Sequence, residues 1–276
     1  MLLNIRHQTR YRYSVQVRYS IQYLRLTPRA EAGQRVLSWR IDAPVRTSRQ
    51  VDAFGNVVHV LAITHPHSEI VISVEGAVET SLRSGDVVAP VSPVSASTLP
   101  HEAFLVATPL TTPDEAMHSI VATSFSRERP VRDAVLSLMQ AINAAVQYET
   151  GTTSVEHTAA QALAQGRGVC QDHAHIFIAC ARIAGLPARY VSGYLDANSD
   201  GQLASHAWAD IWLPDEGWLS CDVTNTRFAD EPYCRLAVGR DYLDASPVRG
   251  RRDGGAHESL EVTVEVNGSA SPIMPV

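Results

Sequence analysis

Two alternating segments joined by a turn limit the possible folds of this chain more than any other feature. Residues 205–213 and 218–224 each alternate with the two-residue period of a strand, and residues 214–217 between them, Pro-Asp-Glu-Gly, are typical of a turn. The pattern predicts an antiparallel hairpin. The residues expected to share one face of it are His206, Trp208, Asp210, Trp212, Trp218, Ser220, Asp222 and Thr224.

The register of the hairpin decides which polar groups meet. If Trp212 pairs with Trp218 across the turn, Asp222 faces Trp208 and lies diagonal to His206. Diagonal neighbours on a sheet are within reach of long side chains. A lone histidine on a strand is more often a packed or surface residue, but an aspartate on the same face favours a pair. The carboxylate could then accept a hydrogen bond from one ring nitrogen and leave the other to take a proton.

The segment before this hairpin is an apolar helix with clear ends. It opens at Cys170 after a glycine-containing turn, and Gly185 and Pro187 prevent its continuation. Cys170 is therefore expected in the first turn, where unpaired N–H groups and the helix dipole lower the pKa of a thiol. The apolar positions at helical spacing are Ala174, Phe177, Ile178, Ala181, Ile183 and Ala184.

Cysteine, histidine and aspartate thus follow one another in the settings that nucleophilic catalysis requires. We expect Cys170 to be the nucleophile, His206 its general base and acid, and Asp222 the carboxylate that orients the imidazole. The alternative for Cys170 is a buried structural cysteine, which is the usual state of an unpaired cysteine. That interpretation suits the other three cysteines, Cys180, Cys221 and Cys234.

The rest of the chain divides by pattern. Residues 1 to about 100 contain short β-type runs bounded by turns, with a hairpin turn at 54–56, and residues 89–95 are typical of a linker. A helical stripe follows over residues 131–146, and Thr153-Ser154-Val155-Glu156 predicts the capping box of a short helix that ends at Gly166. Residues 259–266 alternate, which predicts a last strand that could return to the N-terminal sheet.

These residues resemble the transglutaminase-like superfamily of papain-type Cys-His-Asp enzymes, most closely its bacterial branch. The resemblance is dense over residues 166–225 and extends to short motifs near both ends of the chain. One departure is His173, where a large apolar residue, usually Phe, is typical of the branch. The matching motifs are GRGVCQDHAH, LPARYVSGYL and SHAWADIWLPDEGWLSCDVTN, then AVGRDY and PVRG, and near the start HQTRYRY, LRLTPR and DAFGN.

The resemblance implies an α+β fold: a β-rich N-terminal domain, then a papain/transglutaminase-like core whose cysteine-bearing helix packs on an antiparallel sheet. We expect these units at residues 1–100 and 101–257, with a C-terminal strand and tail at 258–276. The implied activity is amide acyl transfer or hydrolysis through a thioester on Cys170, with a peptide or protein amide as substrate. Protease and transglutaminase are both open. The alternative is a catalytically idle binding or scaffold protein that keeps the fold.

The oxyanion of such a reaction needs hydrogen-bond donors. The backbone N–H of Cys170 is one candidate, and Gln147 and Tyr148 are the best polar options for a second. Tyr148 could equally be a core aromatic whose hydroxyl reaches the surface. The remaining residues expected in the substrate cleft are Gln171, His173 and Trp208.

Composition narrows the partners and the compartment. The chain has 276 residues and a net charge of −6, and all 23 basic residues are Arg. Ten of these arginines fall within the first 49 residues, which suggests a solvated face or a docking surface for an acidic partner. The negative net charge and the absence of a recognition module argue against nucleic acid as a partner.

No membrane segment or secretory signal is expected, and four cysteines do not make a disulfide scaffold, so the expected setting is cytoplasmic.

Two metal sites are conceivable, and neither is expected to be strong. Asp196, Asn198 and Asp200 resemble the first half of a calcium loop, but Ala207 stands where the closing Glu is needed. A zinc site would use Cys170, His173 and His175 with a remote ligand; position 175 turns away from the face that the other two share. We therefore expect no metal and no cofactor to be required.

Overall fold

The computed structural model describes residues 1–91, 97–196 and 204–269. They form two antiparallel sheets and a set of helices that packs against the second sheet. This confirms the expected α+β class with a β-rich N-terminal region. No helix in these parts of the chain is both long and apolar enough to cross a bilayer.

The first sheet unites the two ends of the chain. Its strands follow the order β2-β5-β1-β4-β3, and β14 and β15 both pair with β1, so the C-terminal alternating segment does return to this sheet. The strands are β1 (Leu2–Leu24), β2 (Gln34–Asp42), β3 (Ser48–Val51), β4 (Val57–Ile63), β5 (His67–Thr80), β14 (Val248–Gly254) and β15 (Glu258–Ser269).

The prediction of several short strands at the start of the chain is wrong. β1 is a single strand of 23 residues because different partners support its two halves. Its first half pairs with β5 and β15, and its second half pairs with β4 and β14. The predicted turn at residues 54–56 joins β3 to β4, and Gly55 adopts the positive φ of 78° that this turn requires.

The second sheet carries the predicted hairpin. Its order is β12-β11-β10-β9-β13, and β6 pairs with β11. Two very short strands, β7 (Gln147–Tyr148) and β8 (Arg167–Gly168), pair separately in parallel. The strands of the second sheet are β6 (Val87–Val88), β9 (Ala188–Leu195), β10 (Ser205–Leu213), β11 (Gly217–Asp222), β12 (Arg227–Phe228) and β13 (Tyr233–Gly239).

The central helix α4 is buried between this sheet and the other helices. Its apolar residues Phe177, Ile178 and Ala181 are completely buried, in one cluster with side chains from α2 and β10. Gly185 follows the helix with a φ of 78°, as its sequence predicts. The helices are α1 (Glu115–Ser124), α2 (Val131–Ala145), α3 (Ala159–Gln165), α4 (Cys170–Ile183) and α5 (Tyr242–Ala245).

The predicted start of α3 is wrong. The capping box belongs to Thr158 and Gln161, not to residues 153–156, and the helix ends at Gly166 as expected. A second capping-box pattern lies five residues downstream of the first, and sequence spacing alone does not choose between them. Thr153 instead donates a hydrogen bond to Asp172 at 2.7 Å.

A buried ionic cluster joins the segment between β1 and β2 to the second sheet. Glu31, from the N-terminal region, accepts from Arg29 at 2.7 Å and from Arg235 of β13 at 2.6 Å. Asp210 of β10 accepts from Arg189 at 2.8 Å and also pairs with Arg235. All five side chains are at most 5% exposed. Each charge therefore depends on its partners for the solvation that water would otherwise give.

The arginines of the N-terminal region are largely neutralised within the fold. Eight of the ten form ion pairs with Asp or Glu, mostly across neighbouring strands: Arg6, Arg10, Arg12, Arg18, Arg25, Arg29, Arg35 and Arg40. Six of these eight arginines pair with acids from outside the first 49 residues, so the local excess of positive charge is balanced within the fold. An acidic partner for this region stays a prediction.

Candidate active site

Cys170 is the first residue of α4, as predicted. Its side chain is partly exposed, whereas the other three cysteines are buried. Burial raises the pKa of Cys180 to about 12, and it raises the pKa values of Cys221 and Cys234 as well. Of the four cysteines, Cys170 is therefore the one that a substrate can reach and that lies at a helix N-terminus.

Asp172 fixes the start of α4. Its carboxylate accepts from the backbone N–H of Val169 at 2.8 Å and from the Thr153 hydroxyl at 2.7 Å. Gly168 is required here, because a Cβ at this position would lie only 2.7 Å from the carboxylate. This anchoring, which sequence spacing did not reveal, holds the turn that carries Cys170.

The hairpin has the predicted register. Trp212 pairs with Trp218, and Ala209 pairs with Cys221. His206 and Asp222 consequently meet on one face, with 2.7 Å between Nε2 of the imidazole and Oδ2 of the carboxylate. His206 is 6% exposed and Asp222 is fully buried. With Nε2 engaged by the carboxylate, Nδ1 is the ring nitrogen left for proton exchange with a substrate or a thiol.

Two further residues hold the carboxylate, and the sequence did not reveal them. The hydroxyl of Tyr233 and the side-chain amide of Asn225 each donate to Asp222 Oδ2 at 2.7 Å, and the backbone N–H of Asn225 donates to Oδ1 at 3.2 Å. Burial alone would raise the pKa of Asp222, but His206 and these donors lower it below its usual range. The residue is thereby kept as a carboxylate.

The pKa of the His206 imidazole is shifted in the opposite direction from that of Asp222. Burial disfavours the charged ring and would lower the pKa of His206. The carboxylate of Asp222, and to a smaller extent the interaction with Cys170, outweigh burial and raise this pKa above its ordinary value. Trp208 lies beside the ring, with 6.1 Å between centroids and 26° between the two planes. The arrangement favours an imidazolium beside the cysteine.

Cys170 and His206 line the same cleft, which has a volume of about 260 Å³. Gln171 lines it too, as expected. Tyr148 is 37% exposed, and Cys170 contributes to raising its pKa after the larger effect of burial, so the phenol lies near the sulfur. Neither Tyr148 nor the exposed Gln147 is part of the cleft wall, but its nearness to the sulfur makes Tyr148 the better of the two candidates for a second oxyanion donor.

Two residues expected in the cleft lie beneath it. His173 is completely buried; its Nε2 bonds the carbonyl oxygen of Val146 at 2.9 Å and its Nδ1 bonds the Thr224 hydroxyl at 3.0 Å. The core offers a partner for each ring nitrogen, which allows a polar ring at a position where the family resemblance predicted a large apolar residue. Trp208 is also completely buried and contacts the imidazole instead of the substrate space.

The metal hypotheses gain no support. Of the calcium candidates, Asn198 and Asp200 lie outside the described residues, and Asp196 is buried at the end of β9. Within the three described ranges, no group of three or more His, Cys, Asp or Glu side chains could hold a metal ion. The zinc set fails because both ring nitrogens of His173 are already engaged.

Comparison with known proteins places the chain in a family. Residues 3–79 match the bacterial transglutaminase-like N-terminal region, and residues 119–223 match the transglutaminase-like superfamily. The second match contains Cys170, His206 and Asp222.

Two mycobacterial relatives match this chain over nearly its whole length. An uncharacterized protein of Mycobacterium leprae is 32% identical over 96% of this chain and 98% of its own length. One of Mycobacterium tuberculosis is 32% identical over 95% of this chain and 91% of its own. A protein-glutamine gamma-glutamyltransferase of Pseudomonas aeruginosa is 40% identical, but over only 32% of this chain and 15% of its own.

A solved structure has the same fold. The crystal structure of a proposed cysteine protease from Cytophaga hutchinsonii superposes with a TM-score of 0.78 at 19% identity, covering 100% of this chain and 93% of that one. At this identity the likeness concerns the fold alone. From its sequence matches and its fold, the chain belongs to the transglutaminase-like superfamily and carries the bacterial transglutaminase-like N-terminal region.

Proposed function

We propose that this protein is a cysteine-dependent enzyme that acts on peptide or protein amides, with Cys170 as nucleophile, His206 as base and acid, and Asp222 as orienting carboxylate. The observation that carries the proposal is the 2.7 Å bond between His206 and a fully buried Asp222, at the cleft into which the first residue of α4 opens. This is the nucleophile–base–orienter arrangement of thiol enzymes.

The first half of the reaction is acylation. The Cys170 thiol transfers its proton to Nδ1 of His206, and the sulfur attacks the carbonyl carbon of the substrate. The C–N bond breaks as the imidazolium returns the proton to the departing nitrogen, which leaves a thioester and a free amine or ammonia. Asp222 stays ionised throughout and stabilises the imidazolium. The backbone N–H of Cys170, with Tyr148, is suited to stabilising the oxyanion.

The second half is transfer of the acyl group. Water or a primary amine attacks the thioester, His206 accepts its proton, and the sulfur leaves and is reprotonated. Water gives hydrolysis, as in a protease, and an amine gives cross-linking, as in a transglutaminase. The relatives bear both descriptions. A reducing cytoplasmic setting, the compartment we propose, suits a working thiol.

The competing proposal is an idle protein that keeps the fold for binding. The complete set of Cys170, His206 and Asp222, with His206 interacting with both of the others, favours catalysis. So does the buried hydrogen-bond shell around Asp222, since such a shell costs desolvation and a binding scaffold has no evident need for it.

The test combines labelling with turnover. Iodoacetamide at mildly acidic pH, followed by peptide mass spectrometry, is expected to label Cys170 well before the buried cysteines. A panel of glutaminyl and peptide amides, with and without an added primary amine, is then followed for ammonia release, bond cleavage and cross-linking. Cys170→Ala is expected to abolish turnover, and Cys180→Ala, on the same helix, is the matched control. First labelling of Cys180, or full turnover by Cys170→Ala, would contradict the proposal.

A further inference from the structure

The cleft beside Cys170 is closed on one side by the two ends of the chain. Thr9 and Tyr11 of β1 line it, and so do Leu260 and Val262 of β15. These residues are register partners, because Tyr11 pairs with Leu260 and Thr9 pairs with Val262. The N-terminal sheet therefore contributes a wall to the site, in addition to supporting the fold.

The apolar face of β15 is packed against the core at one end of the strand and exposed at the other. Alternation places Leu260, Val262, Val264 and Val266 on the same face. Val264 and Val266 pack against the apolar core of the N-terminal sheet. Leu260 and Val262 are 55% and 49% exposed, and both border the cleft. The face is thus left uncovered at the point where a substrate must lie.

Apart from Cys170 and His206, the rest of the cleft wall is also uncharged. His7 lines it in the neutral form, because burial lowers its pKa to about 4. Among the described residues that form the wall, none is Asp, Glu or Arg. Against Leu260 and Val262, a charged side chain would lose part of its hydration to apolar surface. The other largely apolar contributors are Val169, Tyr190, Ala207, Tyr242, Pro247 and Val248.

We propose that Leu260 and Val262 form a specificity subsite that receives an uncharged, apolar side chain of the acyl donor, next to the carbonyl that Cys170 attacks. This inference rests on the proposed function and names its substrate class: amides with a large apolar residue on the acyl side. The volume of about 260 Å³ suits such a side chain, being just below the 300–1,000 Å³ of drug-sized pockets.

The test measures binding without turnover. Full-length Cys170→Ala protein is titrated by calorimetry with two glutaminyl peptides that differ only in carrying Phe or Asp beside the glutamine. We expect the Phe peptide to bind about tenfold or more tightly, the effect of burying one apolar side chain. Adding Leu260→Asp is expected to remove this preference, whereas Leu260→Met should keep it. The matched control is Leu37→Asp on β2, where the leucine is similarly exposed, at 48%, and does not line the cleft.

The outcomes separate the two proposals. Equal binding of both peptides, or an unchanged preference in Leu260→Asp, overturns the subsite even if the wild-type protein turns substrates over. A preference that Leu260→Asp removes supports the subsite even if the wild-type protein shows no turnover, in which case the proposed function fails. Size-exclusion chromatography gives a further outcome: if Leu260→Asp converts a dimer into a monomer, this face binds a second copy and the subsite is refuted.

Discussion

Replacing Asp222 by asparagine tests the electrostatic role of the carboxylate most directly. The substitution keeps the size of the side chain and an oxygen that can accept from His206 Nε2, but it removes the charge. An ion pair at about 4 Å in a protein is worth roughly 4 kcal/mol, and part of the hydrogen bond is retained. We therefore expect kcat/KM to fall by about 10²–10⁴-fold, equivalent to roughly 3–5 kcal/mol.

The pH profile gives a second, independent readout. Because Asp222 raises the pKa of His206, the imidazolium that protonates the leaving group persists above the ordinary histidine range and is lost as pH rises through the raised pKa. Without the carboxylate, burial dominates and this pKa falls. The alkaline limb of kcat/KM is therefore expected to move to lower pH in Asp222→Asn.

The assay follows kcat/KM for an amide substrate between about pH 5 and 10, with folding checked by circular dichroism. Asp114→Asn is the matched control, since Asp114 caps α1 through the N–H of Met117 and asparagine caps equally well. It should alter neither the rate nor the alkaline limb. A loss of less than about threefold in Asp222→Asn, with the limb unmoved, would refute the reasoning.

Three further predictions concern groups that support the site and the fold. Tyr233→Phe removes one hydrogen-bond donor to the Asp222 carboxylate, worth about 1.5–3 kcal/mol, so kcat/KM should fall by about tenfold. The acid limb of the kcat/KM profile should move to higher pH, because the pKa of Asp222 rises when this donor is lost. Glu31→Gln leaves buried arginines uncompensated and should lower the free energy of unfolding in urea by about 3–5 kcal/mol, whereas Glu75→Gln, in an exposed pair, should change it little. Burial lowers the pKa of His7 from 6.5 to about 4, so the unfolded chain binds the proton at a higher pH than the folded protein does. The free energy of unfolding should therefore fall by up to about 3 kcal/mol as pH drops from 6.5 to 4. His7→Gln should reduce this dependence of stability on pH.

The sequence by itself determined the parts of the site that lie close together along the chain. The start of α4 at Cys170 follows from local periodicity and glycine positions, and the structure confirms it. The Trp212–Trp218 register follows from the length of one turn, and it brings His206 and Asp222 onto one face. Such features need only local conformational preferences and the pairing of neighbouring strands.

The tertiary structure alone decided which distant residues support these groups. Tyr233 reaches Asp222 from β13, across the sheet from β11, and Glu31 meets Arg235 at a separation of 204 residues. Periodicity in the sequence shows that a position is buried, but it does not show which side chains cover that position. For this reason His173 was expected in the cleft, whereas it lies in the core. The cleft wall from β1 and β15 depends in the same way on how the two sheets pack. Packing is set by the shape and charge of whole surfaces, which no local stretch of sequence contains.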